Sequence, residues 1–159
     1  MTAALQPGDK APDFSLPSDE GGDIRLADLA GKPVVLYFYP KDDTSGCTSE
    51  AKAFTAEQGQ FDALGAVVVG VSKDSAKSHG KFRQKHGLSV RLGADVEGDV
   101  VQRYGVWIEK SMYGRKYMGI ERATFLIDGS GVIRKVWRKV SVTGHADAVL
   151  TATRELVGK

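Results

Sequence analysis

An α/β fold, with a central mixed β-sheet flanked by α-helices and an N-terminal β-hairpin, is the architecture this sequence predicts. Three observations carry the prediction. Val34-Val35-Leu36-Tyr37-Phe38-Tyr39 is apolar at every position, so both faces of the strand it forms must be covered. A helical pattern follows it, then a second apolar run at residues 66–71 and another helical pattern, which is the β-α-β-α order of a sheet with crossover helices. Later, residues 123–127 and 132–137 flank Asp128-Gly129-Ser130-Gly131, a turn-rich connection that predicts an antiparallel hairpin and so makes the sheet mixed.

In chain order, residues 14–16 and 23–26 flank the turn-rich stretch 17–22 and predict a hairpin at a sheet edge. The strand at 34–39 stops at Pro40, which has no N–H for a ladder. After the polar loop 41–46, Cys47, Ala51, Phe54, Phe61 and Leu64 recur at helical spacings, predicting one helix from Cys47 to about residue 64, ended by Gly65. Residues 66–71 form the second buried strand. Residues 75–86 form a helix capped by Asp74 or Ser75 and closed by Gly87. A short helix is expected at 100–104, then the hairpin, then a last helix at 145–157. Together these elements suggest a thioredoxin-like architecture. No repeat and no linker tract interrupts the chain, so residues 1–159 are read as a single domain.

Composition mainly excludes. Twenty-two Lys and Arg against 20 Asp and Glu leave a net charge of +2, too small for a nucleic-acid or anionic-membrane surface. Arg134, Lys135, Arg138 and Lys139, interleaved with Trp137, therefore read as a solvated strand face. The longest apolar runs fall far short of the ~20 residues that cross a bilayer, and the first ten residues lack a secretory pattern. No membrane association is expected, and the cytoplasm is the expected location. His79, His86 and His145 are too dispersed for a metal signature, with His79 and His86 read as solvated or packing residues. No metal and no cofactor is expected. Trp107, Met112, Tyr113 and Met118 suit either an apolar rim near an active site or a dimer contact.

The single cysteine, Cys47, cannot close an intramolecular disulfide, which fits a reducing compartment and leaves a free thiol. A lone cysteine is usually an inert buried residue, but its flanks argue otherwise here. It follows a buried strand, a polar loop and Gly46, which places it in the first turn of a helix, where unpaired N–H groups favour a thiolate. A helix end stabilises a nearby anion by only about 0.3–1 kcal/mol, so a cation or several hydrogen bonds must also converge on a reactive sulfur.

The segment Phe38-Tyr39-Pro40-Lys41-Asp42-Asp43-Thr44-Ser45-Gly46-Cys47-Thr48 resembles the Pro-x-x-x-Thr-x-x-Cys signature of peroxiredoxins. Val69-Gly70-Val71-Ser72, Lys110-Ser111-Met112-Tyr113-Gly114 and Arg122-Ala123-Thr124-Phe125-Leu126-Ile127-Asp128 extend the resemblance, over nearly the whole chain, to the bacterioferritin comigratory protein, or peroxiredoxin Q, subgroup. The resemblance implies a thiol-dependent peroxidase acting on hydrogen peroxide and organic hydroperoxides in antioxidant defence. It makes Cys47 the nucleophile and Arg122 the cation that favours thiolate and binds a peroxide oxygen. Thr44 would accept from the peroxide and donate onward, and Pro40 would shield the sulfur from water. Each role is chemically reasonable. Arginine keeps its charge and offers several coplanar donors, and charge-assisted hydrogen bonds contribute roughly 1.5–3 kcal/mol each. Pre-alignment of sulfur with the O–O bond removes a further entropic cost, which is expected to be the largest effect.

Many members of the subgroup carry a resolving cysteine five positions after the nucleophile, where this chain has Lys52; another position so used is Arg83 here. The sulfenic acid formed on Cys47 must then meet a thiol from outside or risk overoxidation. A one-cysteine cycle served by thioredoxin, glutaredoxin or glutathione follows, in a chain expected to be monomeric. Glu50 is compatible with orienting Arg122, and equally with an exposed first-turn glutamate, so it stays outside the candidate set. Two rival readings remain: a redox sensor or holdase switched by Cys47 oxidation, and a thiol-disulfide oxidoreductase, which the missing Cys-x-x-Cys pair weakens.

Overall fold

In the computed structural model, which describes residues 4–158, the apolar run at 34–39 is the middle of a five-stranded sheet. The strands are β1 (Ser15–Pro17), β2 (Asp23–Arg25), β3 (Val34–Phe38), β4 (Val67–Ser72), β5 (Arg91–Ala94), β6 (Trp107–Met112), β7 (Arg115–Ile120), β8 (Ala123–Ile127) and β9 (Ile133–Trp137). The α-helices are α1 (Ser45–Ala56), α2 (Gln58–Ala63), α3 (Ala76–His86), α4 (Asp99–Arg103) and α5 (His145–Leu156), with a short 3-10 helix at Leu26–Leu29. The main sheet runs β5-β4-β3-β8-β9, with β3 parallel to β4 and antiparallel to β8. The predicted mixed sheet flanked by helices is therefore present, together with the N-terminal hairpin.

Both faces of β3 are covered, as its composition requires. Val34, Leu36 and Phe38 enter one core with Tyr104, Phe125 and Val106, while Val35, Tyr37 and Tyr39 enter the other with Cys47, Phe54, Phe61 and Val149. The period of two along the strand thus divides one apolar run between two cores. Gly70 on β4 makes this possible next to Tyr37, because a Cβ there would lie 2.6 Å from the Tyr37 ring carbon Cζ.

Several boundaries differ from expectation. The helix expected from Cys47 to residue 64 starts two residues earlier, at Ser45, and breaks at Glu57 into α1 and α2. Ser75, rather than Asp74, caps α3 by accepting from the Ser78 N–H, and Gly87 closes the helix in the left-handed conformation. The N-terminal hairpin is a separate two-stranded sheet, joined to the main sheet's edge through a Ser18–Gly93 bridge to β5. The β5 strand and the β6–β7 hairpin were not predicted. Tyr113 and Gly114 turn that hairpin with positive φ at both positions, the backbone of a type I′ turn.

Candidate active site

The β3–β8 register explains how residues 75 apart in sequence meet. Phe38 pairs with Ala123, so Arg122 sits just beyond the end of β3, where the chain turns at Pro40 into the loop leading to α1. Thr44 is the N-cap of α1 and Cys47 is the third residue of the helix. Arg122 Nη2 donates to Cys47 Sγ at 3.3 Å, and Nη1 donates to Glu50 Oε1 at 2.7 Å. Gly46 lets the guanidinium approach this closely, since a Cβ there would lie 3.1 Å from Nη2.

Cys47 is 1% exposed and packs among Tyr37, Tyr39 and Phe54. The first amide to bond within α1 is that of Thr48, which donates to the Thr44 carbonyl, so the amides of the first turn are free to face an anion. Thr44 is exposed, and its hydroxyl donates to the Lys41 carbonyl at 2.8 Å. With its proton committed, that oxygen presents lone pairs that accept. Pro40 is half-buried and forms part of the wall of a neighbouring cavity.

Glu50, left outside the candidate set, is brought into the site by the fold. It is not an exposed first-turn glutamate: it is 1% exposed and locked onto Arg122. Burial is the largest influence and raises its carboxyl to about 7, against the opposing pull of Arg122. Burial likewise disfavours the Arg122 cation, yet Glu50 and Cys47 outweigh this and hold it above the ordinary arginine value. Behind this pair, His145 Nε2 lies 2.8 Å from Thr124 Oγ1, and burial followed by repulsion from Arg122 lowers its imidazole to about 4. At neutral pH the neighbourhood therefore keeps one imidazole neutral and one fixed guanidinium charge.

These two shifts act oppositely on stability. The raised Glu50 carboxyl makes the folded protein bind the extra proton between about 4.5 and 7, so stability falls with rising pH there. The lowered His145 makes the unfolded chain bind the extra proton between about 4 and 6.5, so stability rises with pH there. In the wild type the two slopes offset each other. In Glu50→Gln the falling slope is removed and the His145 slope stands unopposed, so urea unfolding across this range is expected to show stability rising with pH; an unchanged profile would contradict the assignment.

A second polar cluster anchors the loop. Asp42 accepts from Tyr39 Oη at 2.6 Å and Ser78 Oγ at 2.7 Å, and meets His79 Nδ1 at 2.8 Å. His79 Nε2 faces the Gly93 carbonyl at 3.1 Å, so that nitrogen carries a proton. The Asp42 amide donates to Asp74 Oδ2, which also accepts from Ser72 Oγ. His79 is thus a fully buried hydrogen-bonded residue rather than a solvated one, while His86 pairs with Asp43. Asp42, Asp74 and His79 are close enough together to suggest a cation site, but their ligand atoms are already engaged in these hydrogen bonds. Burial opposes ionisation of Asp42, and the bonds from His79, Tyr39 and Ser78 nonetheless hold its carboxyl below the ordinary range.

The expected rim divides. Trp107 and Met118 line the cavity beside Pro40, whereas Met112 and Tyr113 sit at the exposed tip of the β6–β7 hairpin, 56% and 97% exposed. Arg83, the second position at which the resemblance suggests a resolving thiol, grips Asp19 with two nitrogens.

Residues 7–136 match the AhpC/TSA family. A Bcp-type peroxiredoxin sequence of Coxiella burnetii is 52% identical over 147 residues, covering 92% of this chain and 97% of its own. Peroxiredoxin Bcp of Bacillus subtilis is 46% identical over 155 residues, covering 98% and 99%. The solved bacterioferritin comigratory protein of Xanthomonas campestris superposes with a TM-score of 0.86 at 43% identity, covering 91% of this chain and 92% of its own. By these similarities the chain belongs to the AhpC/TSA family, as a thiol-dependent peroxidase of its Bcp, or peroxiredoxin Q, branch.

Proposed function

We propose that residues 1–159 act as one unit that reduces hydrogen peroxide and organic hydroperoxides by a one-cysteine cycle, with Cys47, Arg122, Thr44 and Pro40 in the roles the family signature implies. The observation that supports it best is the Arg122–Cys47 contact at 3.3 Å. The guanidinium favours the thiolate and remains beside the oxygen on which charge develops as the O–O bond breaks. Thr44 orients the peroxide through its free lone pairs, first-turn amides of α1 add donors, and the Pro40 ring limits water at the sulfur. Attack by Cys47 forms an S–O bond, breaks the O–O bond, and releases water or an alcohol. Organic substrates are in keeping with the alkyl peroxide reduction activity of the Xanthomonas campestris relative.

Regeneration falls to an external thiol, with thioredoxin, glutaredoxin or glutathione as the donor classes, because the chain holds one cysteine. We place the protein in the cytoplasm as a monomer, a reading supported by the free thiol. Among the described residues no helix is long and apolar enough to cross a membrane. The test is peroxide titration without thiol, followed by non-reducing electrophoresis and intact-mass measurement. The expected result is one peroxide consumed per chain, one oxygen added to the monomer, and turnover restored by added thiol. A disulfide-linked dimer formed quantitatively, and competent for turnover, would overturn the cycle.

A further inference from the structure

A cavity of about 330 Å³ opens beside Pro40, between the loop that leads to Cys47 and the β6–β7 hairpin. Trp107 and Met118 give it apolar walls, and Lys73 and Lys110 give it two cations. Lys73 Nζ is held 4.3 Å from the Trp107 ring centroid. The Lys110 stem lies over Gly119, where a Cβ would come within 3.1 Å of Lys110 Cδ, so this wall depends on a missing side chain. Neither lysine forms an ion pair among the described residues. Lys110 is electrically close to the reactive centre: burial lowers its amine, repulsion from Arg122 adds to this, and Cys47 and Glu121 oppose it. Two cations outside any ion pair among the described residues, close to a third, Arg122, make a concave anion-attracting site beside the loop that leads to Cys47.

Hydrogen peroxide carries no charge for such a site to recognise. The other reactant of a single-cysteine cycle is a thiol, needed twice per turnover. We propose that this cavity docks an anionic low-molecular-weight thiol of the glutathione type, its carboxylates on Lys73 and Lys110 and its sulfur toward Cys47. This docking rests on the one-cysteine cycle proposed above. The cavity volume suits a tripeptide-sized ligand rather than the broader surface a reductase protein presents. In the first step the docked thiol gives up its proton as its sulfur attacks the Cys47 sulfenic sulfur: an S–S bond forms, the S–O bond breaks, and the departing hydroxide takes that proton and leaves as water. A second thiol then attacks the outer sulfur of the mixed disulfide. Cys47 leaves as thiolate, and two thiols have become one disulfide, supplying the two electrons that reduced the peroxide.

The test uses the full chain, oxidised with one equivalent of hydrogen peroxide and mixed with glutathione, glutathione diethyl ester or 2-mercaptoethanol at matched thiolate concentrations. Reduction is followed by intact mass. Glutathione is expected to outpace its ester in the wild type, and to lose about fivefold in Lys73→Gln and again in Lys110→Gln, as one charge contact each is removed. The ester and 2-mercaptoethanol rates should change less than about twofold, as should oxidation by hydrogen peroxide, since none of these reagents brings a carboxylate for the lysines to meet. Equal rates for glutathione and its ester, or equal losses for all three thiols, would overturn the docking site while leaving the one-cysteine cycle standing. Lysine substitutions that slow oxidation by a carboxylate-bearing hydroperoxide, and not the glutathione step, would reassign the cavity to the oxidising substrate. Failure of every small thiol to reduce Cys47, with a dimeric disulfide in its place, would remove the cycle and the docking site together.

Discussion

Cys47→Ser is expected to reduce hydroperoxide consumption to the rate seen without protein. A serine hydroxyl does not ionise near neutral pH and is a poor nucleophile toward O–O bonds, so neither Arg122 nor the helix end has an anion to stabilise. The substitution is nearly isosteric in a site that is 1% exposed, and the fold should survive it. Rapid mixing with hydrogen peroxide and with an alkyl hydroperoxide, each in the presence of a thiol donor, measures the loss. Retained turnover in the serine variant would move the chemistry away from the sulfur altogether.

For Arg122→Ala, a loss of about 10³ in kcat/KM for hydroperoxide is expected, the scale associated with removing a preorganised donor to developing negative charge. The sulfur loses its cationic partner at 3.3 Å, and Glu50, 1% exposed, loses its one hydrogen-bond partner among the described residues. A buried carboxylate left alone costs several kcal/mol, so stability must be measured alongside rate. Arg122→Lys separates the two effects. A lysine retains the charge but cannot fork between Sγ and Glu50 Oε1, so a folded lysine variant should still lose most of the rate. If it keeps wild-type kcat/KM, geometry at the guanidinium is not what drives the reaction.

The central sheet was legible because its strands are buried on both faces and their composition records it. The run at 34–39, the pattern around Cys47 and the hairpin at 123–137 all carry burial in their spacing. The β5 strand was not legible: Arg91-Leu92-Gly93-Ala94 is four residues long, contains glycine and alternates nothing. The β6–β7 hairpin is largely exposed and carries Glu109, Lys110, Arg115 and Lys116, so no apolar alternation marks it. Its one local cue was Tyr113-Gly114, which takes the left-handed turn backbone.

The same distinction holds at the sulfur. Cys47, Thr44 and Pro40 belong to one continuous motif, and Arg122 enters through the family resemblance. Glu50 has no local signature, since a glutamate in the first turns of a helix is ordinarily solvated. It is buried only because Arg122, 72 positions away, arrives beside it from β8.

The Asp42 cluster constrains how the sulfur can ever face outward. Asp42 is moored on three sides, to the end of β3 through Tyr39, to α3 through Ser78 and His79, and to the end of β4 through Asp74. Only residues 43–46 separate that mooring from Cys47. With Asp42 held in this way, any outward shift of the oxidised sulfur has to be taken up within residues 43–46 and the opening turn of α1, while β3, α3 and β4 stay in place.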